Sequence, residues 1–375
     1  MRLYEHKSKE ILSKYGVPVP KGILTSSSSV QFQNFQFPVV VKAQVLVGGR
    51  GKSGGVRFAD SPSEAKEIIG EMIGLKVKEV NVQEVLIEEK VDVSKELYLS
   101  ISLDRDHSTT LLMASEYGGI DVEDIEPEKM FRVEVNPLIG IQTFTTRKLL
   151  EKISLAKNVS NQITVMVQKL YEIFNDYDAL LVEINPVGIT RQGEAMALDA
   201  KILLDANAIF RHPEFQGLDR GTTEFENRTS ELGVNGVEIK GDIGVIASGA
   251  GCLMATMDSI KAYGGKLAAS IDLGGSVFNI DQINSVISSC VSEMKKLRPK
   301  VILFNAYFQL ARCDVLAQAI RSSLSEGDEI PVVVRLKGRA DSEAEKVLSD
   351  VPNVFFRKSF GEACEKAVKL AVAGD

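Results

Sequence analysis

The sequence predicts an α/β protein of two domains, the second of which is built on a doubly wound parallel sheet. The chain has 375 residues, which at ~150 residues per domain gives room for two or three domains. From residue 237 to residue 375, short apolar runs alternate regularly with helical stretches, the pattern typical of parallel sheets covered by helices. Residues 1–230 mix strands, hairpins and helices without this rhythm, so we expect a separate domain there.

The composition is that of an ordinary globular protein and excludes several classes. Apolar residues make up 44% of the chain and charged residues 25%, unlike collagen-like, disordered or disulfide-scaffold proteins. The formal net charge of -7 argues against a diffuse basic surface for nucleic acid. The first residues mix charges and no apolar run approaches the ~20 residues of a membrane span. We therefore expect a cytoplasmic protein that binds neither nucleic acid nor membrane.

The first domain opens with a predicted helix and then a predicted strand. Residues 5–15 carry apolar side chains at helical spacing, and Gly16 followed by Pro18 predicts the end of this helix. Residues 37–43 are rich in β-branched side chains and predict a strand. Residues 211–235 are polar and lack an apolar pattern, so they are the predicted linker between the domains.

In the second domain, each predicted strand is a short apolar run followed by a helical stretch. The predicted strands cover residues 243–247, 268–273, 301–305, 331–336 and 353–356. Ligands of such sheets bind at the carboxyl ends of the strands. The loops after these strands are therefore candidate binding loops.

A glycine-rich segment, residues 48–55, is the strongest local motif. It is not a Walker A loop, because Leu46 stands where that motif requires its first glycine. It contains a G-x-G-x-x-G pattern, but residues 56–59 read as a strand rather than the helix that a dinucleotide site requires, which disfavours an NAD-dependent dehydrogenase. We predict a flexible loop between antiparallel strands, whose N–H groups, together with Arg50 and Lys52, can close over phosphates.

Two further features favour a nucleotide site, although each has an ordinary alternative. Lys42 ends the preceding strand, where its ammonium group could hold a phosphate or simply reach solvent. Glu88 and Glu96 lie on alternating runs and could accept hydrogen bonds from ribose or amino groups. Isolated carboxylates of this kind are usually solvated.

Residues 180–186 and 194–201 predict a β-hairpin around a short turn that contains a glycine. Folding about this turn places Asn185 opposite Asp199. Glu183, two residues before Asn185 on the same strand, shares its face. These hard oxygen ligands suit Mg²⁺ bridging nucleotide phosphates, and the alternative is an ordinary cross-strand polar contact.

Together these elements resemble the β subunits of ADP-forming succinyl-CoA synthetases, which are ATP-grasp acid–CoA ligases. The likeness extends nearly from end to end. The matching segments are Leu3-Tyr4-Glu5, Tyr15-Gly16-Val17-Pro18, Val41-Lys42-Ala43-Gln44, Gly48-Gly49-Arg50-Gly51-Lys52, Lys95-Glu96-Leu97-Tyr98, Glu183-Ile184-Asn185-Pro186, Gly249-Ala250-Gly251 and Arg312-Cys313-Asp314.

The resemblance implies a fold, a reaction and a partner. Residues 1–230 would form an ATP-grasp domain of two subdomains, and residues 237–375 a flavodoxin-like CoA-ligase domain that contacts an α subunit. The implied reaction converts succinate, CoA and ATP to succinyl-CoA, ADP and phosphate with Mg²⁺. The α subunit, in an αβ or α₂β₂ assembly, would bind CoA and carry a phosphohistidine. The three histidines of this chain have no suitable setting for that role, in agreement with a partner.

The resemblance also assigns site residues. The implied nucleotide-binding residues are Lys42, Gly49, Arg50, Gly51, Glu88, Val91 and Glu96, and the implied Mg²⁺ ligands are Asn185 and Asp199. Glu183 is similar to the family's glutamate that steadies the phosphohistidine. The implied contacts to a phosphoryl group or the acid are Ser248, Gly249, Gly251, Phe308, Gln309 and Leu310.

Two departures from the family pattern concern the acid. Ser248 stands where the family usually has asparagine, and Phe308 and Gln309 replace two glycines whose backbone binds the acid's carboxylate. Larger residues cannot offer the same close backbone approach. A ligase for another, less polar carboxylic acid and a non-catalytic nucleotide-binding regulatory subunit therefore stay open, as does the choice between ATP and GTP.

Overall fold

The computed structural model describes residues 1–78, 80–218, 221–274, 282–324 and 329–373 of the chain. The chain divides into two compact units, Met1–Gly221 and Thr222–Asp375. Both units combine helices with sheets, so the predicted α/β class is confirmed. Within the described residues, we find no helix with the length and hydropathy of a membrane span.

The first unit contains antiparallel sheets and helices. Its helices are α1 (Glu5–Lys14), α2 (Pro62–Met72), α3 (Thr143–Leu150) and α4 (Lys157–Asp176). Its strands are β1 (Gly22–Thr25), β2 (Val39–Ala43), β3 (Val56–Ala59), β4 (Lys76–Val77), β5 (Val80–Asn81), β6 (Val85–Glu89), β7 (Val93–Asp104), β8 (Thr109–Ser115), β9 (Phe131–Val135), β10 (Ala179–Thr190), β11 (Ala195–Ala197) and β12 (Ala200–Leu204).

Two sheets of the first unit frame its candidate site. The small sheet has the strand order β1-β6-β2-β3, and the large sheet has the order β11-β10-β7-β8-β9 with β12 also paired to β10. The neighbouring strands of both sheets pair antiparallel. The predicted hairpin of residues 180–186 and 194–201 is confirmed as β10 with β11 and β12.

Helices cover one face of each sheet because their apolar side chains recur at three- and four-residue spacing. On α4, Ile163, Val167 and Leu170 are buried in the core of the large sheet. On α2, Ile69 and Met72 are buried in the core of the small sheet. Full burial of such a side chain contributes about 1.5–3 kcal/mol.

Helix α1 confirms the predicted opening helix, and its two ends are held by different kinds of contact. Ile11 and Leu12 pack into the core of the large sheet, and Gly16 follows the helix with a φ of 77°, which favours glycine. Glu5 and Lys9, in contrast, are buried polar residues near the start of the helix. The first turn of α1 is therefore held by charge rather than by apolar packing.

The second unit is a parallel sheet with helices, as predicted. Its helices are α5 (Glu224–Glu231), α6 (Ala250–Ala262), α7 (Ile283–Lys296), α8 (Cys313–Ser323), α9 (Asp341–Leu348) and α10 (Phe360–Ala373). Its strands are β13 (Asn235–Glu238), β14 (Ile243–Ala247), β15 (Leu267–Asp272), β16 (Val301–Phe308), β17 (Val332–Gly338) and β18 (Val354–Phe356). The strand order is β13-β15-β14-β16-β17-β18, parallel except for the edge strand β13.

The predicted linker, residues 211–235, is wrong over much of its length. Helix α5 lies inside it and begins with a capping box of Thr223 and Glu226. Phe225 and Val234 are buried in the core of the second unit. This helix therefore belongs to the second unit, and the first unit ends before the predicted residue 230.

Candidate active site

A cavity of about 930 Å³ in the first unit is lined by residues from both the small and the large sheet. Its volume is in the range of small-molecule sites. All ten nucleotide, metal and catalytic candidates of this unit line it: Lys42, Gly49, Arg50, Gly51, Glu88, Val91, Glu96, Glu183, Asn185 and Asp199. The structure thus brings together residues that are distributed over 158 positions of sequence.

The glycine-rich loop connects β2 and β3, which pair antiparallel as predicted. Gly51–Ser53 form a short 3₁₀ turn. Gly49 and Gly54 have φ values of 68° and 73°, a conformation that favours glycine. The Arg50 side chain turns back toward the strands, and its Nη1 donates a hydrogen bond to the carbonyl oxygen of Ala43 at 3.0 Å.

Lys42 lies in a buried group of charges rather than free at a strand end. Its Nζ is 3.0 Å from Glu5 Oε1 and 2.6 Å from Glu88 Oε2, and it donates to the carbonyl oxygen of Leu198 at 2.6 Å. Lys9 Nζ lies 2.9 Å from Glu5 Oε1 and 2.5 Å from Glu88 Oε1. Two lysines therefore share two buried carboxylates in the cavity wall.

These contacts decide the protonation of the buried groups. Burial alone would raise the pKa of Glu5, but Lys42, Arg50 and Lys9 outweigh burial and hold that pKa well below its usual range. Burial alone would lower the pKa of Lys42, but Glu5 and Glu88 raise it above its usual value. Glu5 is therefore a carboxylate and Lys42 a cation.

The predicted hairpin register is confirmed. Glu183 pairs with Lys201 across β10 and β12, and the backbone N–H of Asn185 donates to the carbonyl oxygen of Asp199 at 3.3 Å. Gly193 in the turn has a φ of 79°, as a tight turn with glycine requires. Asn185 and Asp199 are thus opposite each other on neighbouring strands, and both line the cavity.

Both candidate metal ligands already have partners. Asn185 Oδ1 accepts from the Gly119 N–H at 2.8 Å, and its Nδ2 donates to the Ile120 carbonyl oxygen at 2.8 Å. Asp199 Oδ2 accepts from Arg50 Nη2 at 2.9 Å, and its Oδ1 accepts from the N–H of the next residue at 2.8 Å. The guanidinium group of Arg50 is therefore the cation that contacts the Asp199 carboxylate in this structure.

The donor set fits Mg²⁺ rather than a metal enclosed by protein. An amide oxygen and a carboxylate are hard ligands, and Mg²⁺ commonly takes one or two protein ligands with water and phosphate oxygens. No group of three or more His, Cys, Asp or Glu side chains that could hold a metal occurs in the described part of the chain. The Asp199 carboxylate also contacts the positively charged guanidinium group of Arg50, so its position suits a cation.

Glu183 is a partly buried carboxylate that accepts a hydrogen bond from one phenol group. Its Oε2 accepts a hydrogen bond from the Tyr98 hydroxyl at 3.1 Å. Burial raises the pKa of Glu183 above its usual value, although Lys201 and Tyr98 oppose this shift. A carboxylate with a raised pKa is a good hydrogen-bond acceptor for a protonated ring nitrogen.

Glu88 and Glu96, treated alike from the sequence, differ in the structure. Glu88 is 2% exposed, and each of its oxygens lies against a lysine. Glu96 is half-buried in the cavity wall, and burial raises its pKa. Among the described residues its carboxylate forms no ion pair, so Glu96 is the glutamate with free hydrogen-bonding capacity.

Sequence analysis missed Glu5, Lys9 and Tyr98 as parts of the site. Glu5 and Lys9 are one turn apart on α1, a spacing that permits contact, but the sequence does not show which residues lie opposite them. Glu5 and Tyr98 were included only as parts of matching segments. Its place beside Glu183 follows from the pairing of β7 with β10.

In the second unit, the other candidates lie at the carboxyl ends of the adjacent strands β14 and β16. Helix α6 begins at Ala250, directly after Gly249, which has a φ of 83°. Ser248 Oγ accepts from the Tyr307 N–H at 3.1 Å, and the Gly249 N–H donates to Asp272 Oδ1 at 2.8 Å. Ser248, Gly249, Gln309 and Leu310 lie in loops after parallel strands, as predicted, whereas Gly251 lies in the first turn of α6 and Phe308 ends β16.

Phe308 was predicted to contact the acid from a loop, but the structure places its side chain in the core instead. Strand β16 continues to Phe308, whose ring is buried in the core of the second unit. Its carbonyl oxygen accepts from the Arg339 N–H at 3.1 Å. Gln309 Nε2 donates to the Tyr307 hydroxyl at 3.3 Å, and Leu310 is 80% exposed. Leu310 is therefore the apolar side chain that this loop presents.

Both units of the chain are similar to known protein families. Residues 2–189 match the ATP-grasp domain family and residues 246–352 match the CoA-ligase family. The chain is 38% identical to a protein of Pyrobaculum aerophilum over 99% of this chain and 100% of that protein. It is 37% identical to a protein of Ignicoccus hospitalis over 100% of both chains. Both relatives are named succinate–CoA ligase [ADP-forming] subunit beta.

A solved structure shows the same fold over nearly the whole chain. It is ATP citrate lyase from Methanothrix soehngenii in complex with citrate and coenzyme A, with a TM-score of 0.75 and 19% sequence identity. The similarity covers 98% of this chain and 99% of that chain. At this identity the similarity concerns the fold alone.

Proposed function

Because the chain belongs to the family of β subunits of ADP-forming succinate–CoA ligases, we propose that it is the nucleotide-binding subunit of such a ligase. It binds Mg·ATP and exchanges a phosphoryl group with a phosphohistidine of an α subunit. The acyl phosphate then formed from succinate is attacked by CoA, which gives succinyl-CoA, ADP and phosphate. The single observation that carries this proposal is the convergence of all ten first-unit candidates on one cavity.

The cavity supplies what phosphoryl transfer needs from a protein, namely positioning and charge stabilisation. Lys42 and Arg50 provide positive charge fixed by buried carboxylates. The glycine-rich loop provides backbone N–H groups that can approach phosphate oxygens closely. Glu96 provides a free acceptor for a ribose hydroxyl or an amino group.

Asn185 and Asp199 would hold the Mg²⁺ ion together with phosphate oxygens and water. When bound, Mg²⁺ neutralises charge on the transferring phosphoryl group. The two residues are placed for this by the register of β10 against β12, which sets them opposite each other at the cavity.

Glu183 is proposed to steady the imidazole of the partner's histidine when it reaches the nucleotide. Its carboxylate lines the same cavity as the metal candidates and is held by the Tyr98 hydroxyl at 3.1 Å. An acceptor fixed in this way can bind the ring N–H and so direct the other ring nitrogen at the phosphorus atom.

Replacing Glu183 with glutamine is expected to slow phosphoryl transfer by about 10²-fold while changing ATP affinity little. The amide keeps the shape but weakens the acceptor for an imidazole N–H. Single-turnover phosphorylation of the α subunit measures the rate, and calorimetric titration with ATP measures the affinity. Glu194→Gln, an exposed position on the same hairpin, is the control. A loss confined to ATP binding would contradict the proposed role.

The second unit is proposed to hold a phosphoryl group and the acid near Ser248, Gly249, Gly251, Gln309 and Leu310. The N-terminus of α6, a helix of 13 residues, directs its positive dipole end toward this loop.

We further propose that the α subunit binds CoA, that the assembly is αβ or α₂β₂, and that it acts in the cytoplasm.

A ligase for another carboxylic acid is the second candidate function. It is favoured by Gln309, which replaces one of the two glycines that the family uses to bind the acid's carboxylate, and by Leu310, an apolar side chain that is 80% exposed in the same loop. The burial of Phe308 removes one of the two apolar side chains that first suggested a less polar acid.

An activity assay on the copurified chain and α subunit tests both candidates. It measures ADP formation that depends on both CoA and an acid. We expect turnover with succinate. Turnover with a different acid, and none with succinate, would keep the ligase mechanism and change the substrate. Binding of Mg·ATP without phosphorylation of any α-subunit histidine would instead identify a regulatory subunit and contradict the proposal.

A further inference from the structure

Arg50 makes two ionic contacts in the cavity, one of them to a candidate metal ligand. Its Nη2 lies 2.9 Å from Asp199 Oδ2 and also contacts the Glu5 carboxylate. Its Nη1 donates to the carbonyl oxygen of Ala43. The guanidinium group thus bridges the buried carboxylate of α1 and the carboxylate at the start of β12.

The charges around this contact are balanced before any ligand binds. We define the buried charge cluster as the cations Lys9, Lys42 and Arg50 with the carboxylates Glu5, Glu88 and Asp199; all are buried or nearly so except Asp199, whose side chain is 39% exposed. Arg2 lies nearby, and burial together with Arg50 lowers its pKa. A divalent cation that bound at Asp199 alone would therefore add two positive charges to a region already crowded with cations.

A nucleotide changes this balance. Its phosphates bring negative charge and offer Arg50 an alternative partner with the bidentate geometry that guanidinium groups favour. Arg50 is also better placed to move than Lys9 or Lys42, because it lies in the glycine-rich loop between Gly49 and Gly51. A Cβ atom added at Gly48, Gly51 or Gly54 would meet nothing within 4 Å, although one at Gly49 would lie 3.1 Å from Lys78 Nζ, so most of the loop has room around it.

Building on the proposed function, we propose that Arg50 holds Asp199 in the nucleotide-free protein and thereby makes metal binding depend on the nucleotide. Arg50 transfers from Asp199 to the phosphates when the nucleotide enters, and the metal ion takes its place at Asp199. Arg50 is in this sense a positioning residue, which acts on the metal through Asp199. Metal and nucleotide then raise each other's affinity by the same factor, because coupling of two binding equilibria is reciprocal.

The test is a Mn²⁺ titration of the complex with the α subunit, with and without ADP. Electron paramagnetic resonance monitors the binding of Mn²⁺. In the natural protein we expect ADP to raise Mn²⁺ affinity by about 5- to 150-fold. In Arg50→Gln, Mn²⁺ should bind more tightly without ADP, and the factor contributed by ADP should shrink to the part that the phosphate oxygens supply as metal ligands. Arg57→Gln is the matched control, since Arg57 is an arginine of β3 that pairs with Glu71 and does not line the cavity.

An Arg50→Gln protein with the same nucleotide-free Mn²⁺ affinity as the natural protein would overturn the inference. Asp199→Asn separates this failure from failure of the proposed function. If Asp199→Asn leaves Mn²⁺ binding in the presence of ADP unchanged, the metal site itself is misassigned. If Asp199→Asn weakens that binding but Arg50→Gln changes nothing, only the role of Arg50 is refuted.

A second measurement requires no variant. A crystal structure of the natural complex with Mg·ADP should show Arg50 on a phosphate and separated from Asp199. An Arg50 that still contacts Asp199 in that complex would also overturn the inference.

Discussion

Replacing Asp199 with alanine is expected to lower ATP-dependent phosphorylation of the α subunit by about 10³-fold or more. The change removes the one carboxylate among the proposed metal ligands. The fold should persist, because Asp199 is 39% exposed and Arg50 keeps its contacts with Glu5 and Ala43. Incorporation of label from γ-labelled ATP measures the effect, and circular dichroism checks the fold.

The control for this variant is Asp350→Ala, which removes an exposed aspartate paired with Arg321 in the second unit. It should leave phosphorylation unchanged. Full phosphorylation by the Asp199→Ala protein would remove Asp199 from the site and, with it, the magnesium assignment.

Replacing Glu5 with alanine should have the largest effect on stability, a loss of about 3–5 kcal/mol in the free energy of unfolding of the first unit. The reason is that one carboxylate with 3% side-chain exposure serves Lys9, Lys42 and Arg50. Without it, these buried cations lose a shared partner. Urea unfolding followed by tyrosine fluorescence measures the change, since the chain has no tryptophan.

Glu10→Ala on the same helix is the matched control. Glu10 is exposed and pairs with Lys7 at 2.8 Å, so its replacement should cost less than about 1 kcal/mol. Equal losses from the two variants would show that the network around Glu5 has no special role in stability.

The stability that Glu5 provides should also depend on pH. Because its cationic neighbours hold the pKa of Glu5 below its usual range, this contribution is fully present above the unfolded value of about 4.3. It is lost as the pH falls through the lower pKa of the folded protein. The difference in the free energy of unfolding between the natural protein and Glu5→Ala should therefore be constant from pH 6 to 7, within the range of about 5 to 8 where proteins are usually most stable. In acid this difference should become smaller. A gap that widens in acid would contradict the assigned charge.

The parts of the site that sequence could predict are those fixed by local rules. A short turn with glycine sets the hairpin register, and that register places Asn185 opposite Asp199. The glycine-rich loop was placed between two strands because residues 56–59 alternate, and β3 confirms it. These features depend on neighbouring positions in the sequence.

The buried charge cluster could not be predicted, because its pairs join distant segments. Lys42 and Glu5 are 37 positions apart, and Arg50 and Asp199 are 149 apart. Which charges face each other depends on how α1 packs between the two sheets. For this reason Glu5 and Lys9 read as an ordinary helix turn.

Two other errors have local causes. Phe308 was assigned to a loop because its strand was predicted to end at residue 305, whereas β16 continues to Phe308. Helix α5 was read as linker because it buries only Phe225 and Thr229, too few apolar positions for a helical pattern. The apolar run of β16 continues through residues 306–308, whereas α5 forms in polar sequence and is fixed by its capping box and the packing of Phe225.

The most direct test of the central claim is a crystal structure of the complex with the α subunit, Mn²⁺ and a non-hydrolysable ATP analogue. Anomalous scattering locates the metal independently of the atomic refinement. We expect the metal peak bonded to Asn185 Oδ1 and an Asp199 oxygen, with the triphosphate against the glycine-rich loop. A metal ion bound away from both residues, or a nucleotide outside this cavity, would contradict the account.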